Sequence, residues 1–92
     1  RTRKADSQFV GTVGKREVFA GLTVETMRTY ESDYGTSTRI EFIDVAGNVV
    51  IWWASNAPSM SEGDTLTLKA TVKKQEQYNG IRQTTITRAA VL

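Results

Sequence analysis

Hydrophobic and polar positions alternate along much of the chain with the period of two that a half-buried β-strand produces. The alternation is most regular between residues 65 and 74, where threonines and lysines separate the apolar residues Leu66, Leu68, Ala70 and Val72. Apolar residues at helical spacing are nearly absent, and glycines interrupt the pattern at intervals. This combination is typical of short strands joined by turns, and it predicts an all-β chain.

The alternation predicts five strands, at about residues 8–30, 38–44, 49–54, 65–74 and 81–91. Gly11, Gly14 and Gly21 interrupt the first strand, and such glycines often mark bulges or sharp bends. Residues 55–64 contain the single proline and are expected to form a short connector or a helical turn. Residues 31–37 and 73–80 are predicted to be polar loops, each carrying one tyrosine.

The adjacent tryptophans Trp52 and Trp53 must point to opposite faces of the third strand. Gly47 suits the left-handed position of a three-residue hairpin loop, in which a type I turn is followed by a bulge. That loop pairs Ile40 with Trp52 and Arg39 with Trp53, and directly paired residues share a face. Trp52 then joins the apolar face, and Trp53 is predicted to face outward beside Arg39. A four-residue loop would turn Trp52 outward instead, and a third interpretation buries both rings, one of them under a loop or a partner domain.

Composition narrows the possible chemistry. The chain has 92 residues, which fits one small domain, and it has no cysteine and no histidine. The commonest general base, the commonest metal ligand and any disulfide framework are therefore excluded, and no phosphate-binding glycine loop of the P-loop type is present. We expect no enzyme activity, no cofactor and no metal site.

The chain is expected to be cytoplasmic and to have no membrane partner. Its longest apolar runs fall far short of the roughly 20 residues that a spanning helix needs. No signal-peptide pattern is visible, and the first residue is arginine.

The net charge of +2 is unevenly distributed. Residues 1–6 are expected to form a flexible basic tail, and residues 7–92 a single folded domain. Acidic residues dominate between residues 25 and 64, whereas cations dominate from residue 69 onward: Lys69, Lys73, Lys74, Arg82 and Arg88. This asymmetry indicates either a basic stripe on the last strands or an ordinary solvated surface.

The order of the predicted elements resembles the OB-fold, a five-stranded Greek-key barrel. The resemblance rests on the glycine-broken first strand, the hairpin at residues 44–48 and Gly63-Asp64 at the start of the fourth strand. The stretches VGTVGKREVF, ESDYGTSTRIEFIDVAGNVVIWWAS and GDTLTLKATVKKQEQYNGIRQTTITR resemble OB modules of replication-associated single-stranded DNA-binding proteins of phages and mobile elements. The resemblance covers nearly all of the chain after about residue 7.

The resemblance also implies where a ligand would bind, because OB-folds bind across strands 2 and 3, between the loops that join strands 1–2 and 4–5. Aromatic rings there would stack on bases, and cations would contact phosphates. The implied site residues are Trp53, Trp52, Arg39, Tyr34, Lys69, Lys73, Lys74, Tyr78, Arg82 and Arg88. The carboxylates in or near this surface would repel phosphates: Glu31, Asp33, Glu41 and Asp44.

Several of these residues have a structural interpretation as well. Tyr34 could be a loop anchor. Arg82 and Arg88 share the parity of the expected core residue Ile86, so either a bulge intervenes or one of the two arginines only extends its charged end past the core to solvent. Three phenylalanines are predicted to lie in the core: Phe9, Phe19 and Phe42.

The leading hypothesis is a module that binds single-stranded nucleic acid, with DNA favoured over RNA, and that belongs with other domains to a larger replication or recombination protein. The alternative is a protein-interaction or oligomerisation module, with the exposed tryptophan at an interface with a partner or a second copy. Saccharide binding is a weaker third hypothesis. The base preference and the oligomeric state stay open.

Overall fold

A computed structural model describes residues 6–55 and 59–92 of the chain. In sequence order the strands are β1 (Arg16–Ser32), β2 (Gly35–Ile43), β3 (Val49–Ala54), β4 (Thr65–Tyr78) and β5 (Ile81–Val91). They form one sheet in the order β1-β2-β3-β5-β4, and β4 pairs with β1 to close the sheet into a ring. Only β3 and β5 pair in parallel. The prediction of an all-β chain with five strands is confirmed.

The interior of the ring is filled by apolar side chains from every strand. Trp52 is partly buried against this core. The largest fully buried apolar residues of this core cluster are Phe42, Leu22, Ile40, Leu68, Ile86, Val24, Val50 and Val72. The alternation in β4 therefore marks the core-facing side of the strand, as predicted, because Leu68, Ala70 and Val72 all face inward.

The predicted strand bounds are correct for the third and fifth strands and wrong elsewhere. Strand β1 begins at Arg16, whereas the sequence predicts a start near residue 8. Strand β2 begins at Gly35, and β4 continues to Tyr78. The two predicted polar loops therefore shrink to the turns at residues 33–34 and 79–80. Both segments pair as hairpin strands, so their backbone groups are bonded even though their side chains are polar.

The sequence predicts that residues 8–15 begin the first strand, but residues 7–15 instead form an irregular segment that crosses the sheet near the starts of β3 and β5. The Ser7 hydroxyl donates to the Arg82 carbonyl and accepts from the Val49 amide, and the Val10 amide donates to Thr84 Oγ1. We call this segment the clip. Phe9 lies on it with 40% of its surface exposed, so its predicted place in the core is wrong.

Two other predictions fall partly outside the described residues. The basic tail covers residues 1–6, of which only Asp6 is described. Of the connector, residues 56–58 lie outside the described residues, and residues 59–64 contain a turn in which the Asp64 amide donates to the Ser61 carbonyl. Within residues 6–55 and 59–92, no helix has the length and the apolar content that crossing a bilayer would require.

Bulges interrupt the inward–outward alternation of the two longest strands. Gly21, with a φ of 65°, lies where the register between β1 and β4 shifts, as the sequence predicts for a glycine within a strand. Further shifts fall between Val24 and Thr26 in β1 and between Val72 and Lys74. One extra residue reverses the parity of a strand. Beyond each of these two bulges, side chains that would have faced the core face outward instead.

Candidate ligand-binding groove

The β2–β3 hairpin has the predicted register. The Gly47 amide donates to the Asp44 carbonyl at 3.0 Å, and Gly47 has a φ of 87°, as a three-residue loop with a terminal bulge requires. Trp53 pairs with Arg39 on the outer face and is 49% exposed, whereas Trp52 packs on the core. The prediction that Trp53 is the outward tryptophan is confirmed.

Trp53 lines an open groove of about 580 Å³ on the outer face of the ring. The floor is formed by Ile51 of β3 and by Gln83 and Thr85 of β5. The wall on one side comes from β1 and β2, with Trp53 at its edge, and the wall on the other side is the end of β4. Its wall residues are Thr26, Arg28, Tyr30, Arg39, Trp53, Glu76, Gln77 and Tyr78.

The two bulges create these walls. Before the bulge in β1, Val24 faces the core opposite Phe42, but after it Thr26 lies opposite Glu41 and Arg28 opposite Arg39, both on the outer face. In the same way, the bulge after Val72 in β4 turns the side chains of Glu76 and Tyr78 outward, so that both line the groove. Without these extra residues, the strand ends would continue the inward alternation of the core.

Aromatic rings lie on both sides of the groove. The rings of Tyr30 and Trp53 are 5.6 Å apart between centroids and are tilted by 40°, within the range of favourable aromatic pairs. Tyr78 is exposed on the opposite wall, beside the turn at Asn79 and Gly80. Both of these turn residues have positive φ, which is what a two-residue hairpin turn needs. The groove therefore presents flat apolar faces to solvent on each side.

Cations outnumber anions along the β1–β2 wall. Arg28 lies directly opposite Arg39 in the register, and like charges in that position are destabilising. Glu41 Oε1 lies 3.7 Å from Arg39 Nη1 and offsets one of the two charges. In the part of the chain that the structure describes, Arg28 has no carboxylate partner. This wall can therefore accept an anion.

The β4 wall is close to neutral. Glu76 Oε1 lies 3.5 Å from Lys74 Nζ, and both side chains are about half exposed. Exposed pairs of this kind contribute little to stability, so either group is free to exchange its partner for a ligand.

Of the site residues predicted from the sequence, three lie together in the groove: Trp53, Arg39 and Tyr78. Lys74 is not part of the groove lining, but it forms an ion pair with the lining residue Glu76. Tyr34 is fully exposed at the tip of the β1–β2 hairpin, outside the groove lining.

The other predicted site residues lie elsewhere. Trp52 faces the core, and Lys69 and Lys73 are exposed on β4 outside the groove lining. The Arg82 guanidinium lies 5.9 Å from the centre of the Phe9 ring and donates to the Gln8 side chain, so it holds the clip. Arg88 has a φ of 54° and its carbonyl accepts from Arg16, outside the groove lining.

The sequence reasoning missed Arg28 and Tyr30. The alternation that places Leu22 and Val24 inside continues to residues 26, 28 and 30 unless a bulge intervenes, so both residues looked like ordinary parts of the first strand. A signal was nevertheless present, because an arginine at an expected core position argues for a change of parity.

Comparison of the chain with family models, curated proteins and solved structures gave no match. The functional argument therefore rests on the groove itself.

Proposed function

We propose that this chain is an OB-fold module that binds single-stranded nucleic acid in the groove, with DNA favoured over RNA. The observation that carries the proposal is the tilted Tyr30–Trp53 pair next to Arg28 and Arg39 in one open groove. Single strands require rings for their bases and cations for their phosphates, and base stacking on an aromatic side chain contributes about 1–3 kcal/mol for each base.

The position of the groove supports the OB-fold part of the proposal. Ligands of OB-folds cross strands 2 and 3 between the 1–2 and 4–5 connections. Here the groove lies over β3 and β5, its β1–β2 wall runs toward the first hairpin turn, and its β4 wall ends at the turn after Tyr78. The resemblance of the sequence to replication-associated modules suggests that the chain works beside other domains, which would strengthen a modest affinity by tethering.

The decisive experiment is a titration with a 20-nucleotide thymidine oligomer, followed by tryptophan fluorescence at low and at high salt. We expect saturable quenching, because a base stacks on the exposed Trp53 ring. We also expect the affinity to fall as salt rises, because phosphate contacts release counterions. No quenching at either salt concentration would contradict the proposal.

Variants locate the binding surface. Trp53→Ala and Tyr78→Ala should each weaken binding about 5-fold to 150-fold, which is the stacking contribution of one base. A labelled oligomer and anisotropy replace the lost tryptophan signal. Tyr34→Ala is the matched control, since Tyr34 is exposed but outside the groove. Unchanged affinity in both groove variants, or an equal loss in the control, would reject the groove as the site.

A protein-interaction role predicts the opposite results. A stable dimer at micromolar concentration in sedimentation, lost in Trp53→Ala and insensitive to salt, would replace the nucleic-acid proposal with an apolar interface.

A further inference from the structure

The floor of the groove carries polar side chains that lack protein partners. Gln83 is 9% exposed and Thr85 is 4% exposed, and both line the groove. Neither side chain is hydrogen-bonded to another described residue. Among the described residues, every fully buried side-chain nitrogen or oxygen has a hydrogen-bond partner, so the unpaired polar atoms of Gln83 and Thr85 must be accessible to solvent. Their polar atoms therefore open into the groove. Nearly buried polar groups normally have partners, so a ligand in the groove could supply them.

Glu76 adds a third polar group to this surface. It is the cross-strand partner of Gln83, and directly paired residues share a face of the sheet. Its only partner in the described structure is the half-exposed Lys74, at 3.5 Å. A carboxylate only accepts hydrogen bonds, whereas an amide and a hydroxyl both donate and accept. The surface thus offers a strong acceptor next to groups that can donate.

Among the nucleic-acid bases, guanine matches this arrangement best. Its Watson–Crick edge presents two adjacent donors, N1–H and the N2 amino group, beside the acceptor O6. Thymine and uracil present one donor between two acceptors, and adenine and cytosine each present one amino group beside an acceptor. Only guanine can donate twice to one carboxylate while an amide nitrogen donates to its O6. In a single strand this edge is free to be read.

We infer that the groove selects a guanine base, with Glu76 accepting from N1–H and the N2 amino group and the Gln83 amide donating to O6. The inference rests on the proposed function, since it specifies which strands that same groove prefers. The Thr85 hydroxyl lies on the same floor and can bond the base directly or through a water molecule. Trp53, Tyr30 and Tyr78 supply ring faces that hold the base in the groove.

The test compares labelled thymidine 9-mers that carry a single central substitution: guanine, inosine, adenine, cytosine or none. We expect the guanine oligomer to bind about 5-fold to 150-fold more tightly than the all-thymidine oligomer, which is the discrimination of one bidentate base contact. Inosine lacks only the N2 amino group, so it should lose most of that gain. A single guanine in each strand prevents four-stranded assembly.

The matched variants are Glu76→Gln and Glu31→Gln. Glu31 is an exposed strand glutamate outside the groove lining, so its variant removes the same charge without touching the site. Glu76→Gln should abolish the preference for the guanine oligomer over the all-thymidine oligomer, because the carboxylate that accepts from N1–H and the N2 amino group is lost. Glu31→Gln should keep this preference. Thermal melting checks that both variants fold.

Equal affinities for all five oligomers, or a guanine preference that survives Glu76→Gln, would overturn the inference while leaving the proposed function standing. Failure of every oligomer to bind would reject the proposed function itself. The two failures are therefore distinguishable in one set of titrations.

Discussion

The pairing of Arg28 with Arg39 shows at the scale of single residues how a binding surface can oppose stability. Two guanidinium groups stand opposite each other across β1 and β2, and among residues 6–55 and 59–92 only Arg39 has a carboxylate partner, Glu41, at 3.7 Å. Like charges directly opposite each other cost about 0.2–1 kcal/mol in a sheet. A bound phosphate would reverse the sign of this cost, because it would attract both groups.

Arg28→Gln should therefore stabilise the free protein and weaken its binding. We expect the free energy of unfolding in urea to rise by about 0.2–1 kcal/mol. The slope of log affinity against log salt for the thymidine oligomer should become shallower by about 1, as one phosphate contact is lost. Lys69→Gln is the control, since Lys69 is exposed outside the groove and should change neither quantity in this way. A less stable Arg28→Gln variant would refute the idea of a strained pair.

At the scale of elements, the clip joins β3 and β5 through hydrogen bonds although it is not itself a strand. Ser7 is 2% exposed and joins the starts of both strands, since its hydroxyl bonds the Arg82 carbonyl at 2.7 Å and the Val49 amide at 2.9 Å. Gln75 holds the middle of the clip by donating to the carbonyls of Val10 and Gly11. Side chains thus replace the predicted regular ladder over residues 8–11, whereas Gly14 and Lys15 are bonded to Val72 through their backbones.

Ser7→Ala should destabilise the protein by about 1–3 kcal/mol, because it leaves a buried amide and a carbonyl without their partner. Chemical denaturation should show the loss as a lower midpoint with an unchanged slope. Ser55→Ala offers the comparison at an exposed serine just after β3, where we expect a change within about 0.5 kcal/mol. Equal effects in the two variants would mean that the Ser7 bridge does not stabilise the fold.

At the scale of the whole molecule, the groove separates two hairpins that belong to one closed sheet. In the described structure, β1 pairs only with β2 from Thr26 onward, and β4 pairs only with β5 from Lys74 onward, whereas the backbones of Val24 and Val72 are also bonded on their other side. Strand ends that are bonded on one side open more easily than the ring, whose strands are bonded on both sides. The walls are therefore expected to be the most mobile parts of the sheet.

Hydrogen exchange should detect this difference. In the free protein, we expect amides at residues 26–32 and 74–78 to exchange faster than those at residues 66–72. The thymidine oligomer, free at ten times its Kd, should slow exchange about tenfold in both walls, because opening a wall must first release the ligand. Protection in only one hairpin, or in the clip instead, would contradict a ligand that bridges the two walls.

Much of the fold follows from short-range patterns in the sequence. The position of Gly47 sets the β2–β3 hairpin, and its register alone turns Trp53 outward and Trp52 inward. The alternation of β4 up to Val72 identifies the core face. Patterns of this kind act between neighbouring residues or across one tight turn, so the sequence expresses them directly.

Tertiary structure decided which residues share the groove. Tyr30 and Arg28 reach it because β1 takes an extra residue between Val24 and Thr26, and Glu76 reaches it because β4 takes one between Val72 and Lys74. A single inserted residue reverses every side chain beyond it. Arg28 at an expected core position indicates that the parity changes, but the alternation does not show at which residue the insertion falls. The position of each bulge depends on strands distant in sequence, because the sheet must bend enough to close and still keep its hydrogen bonds.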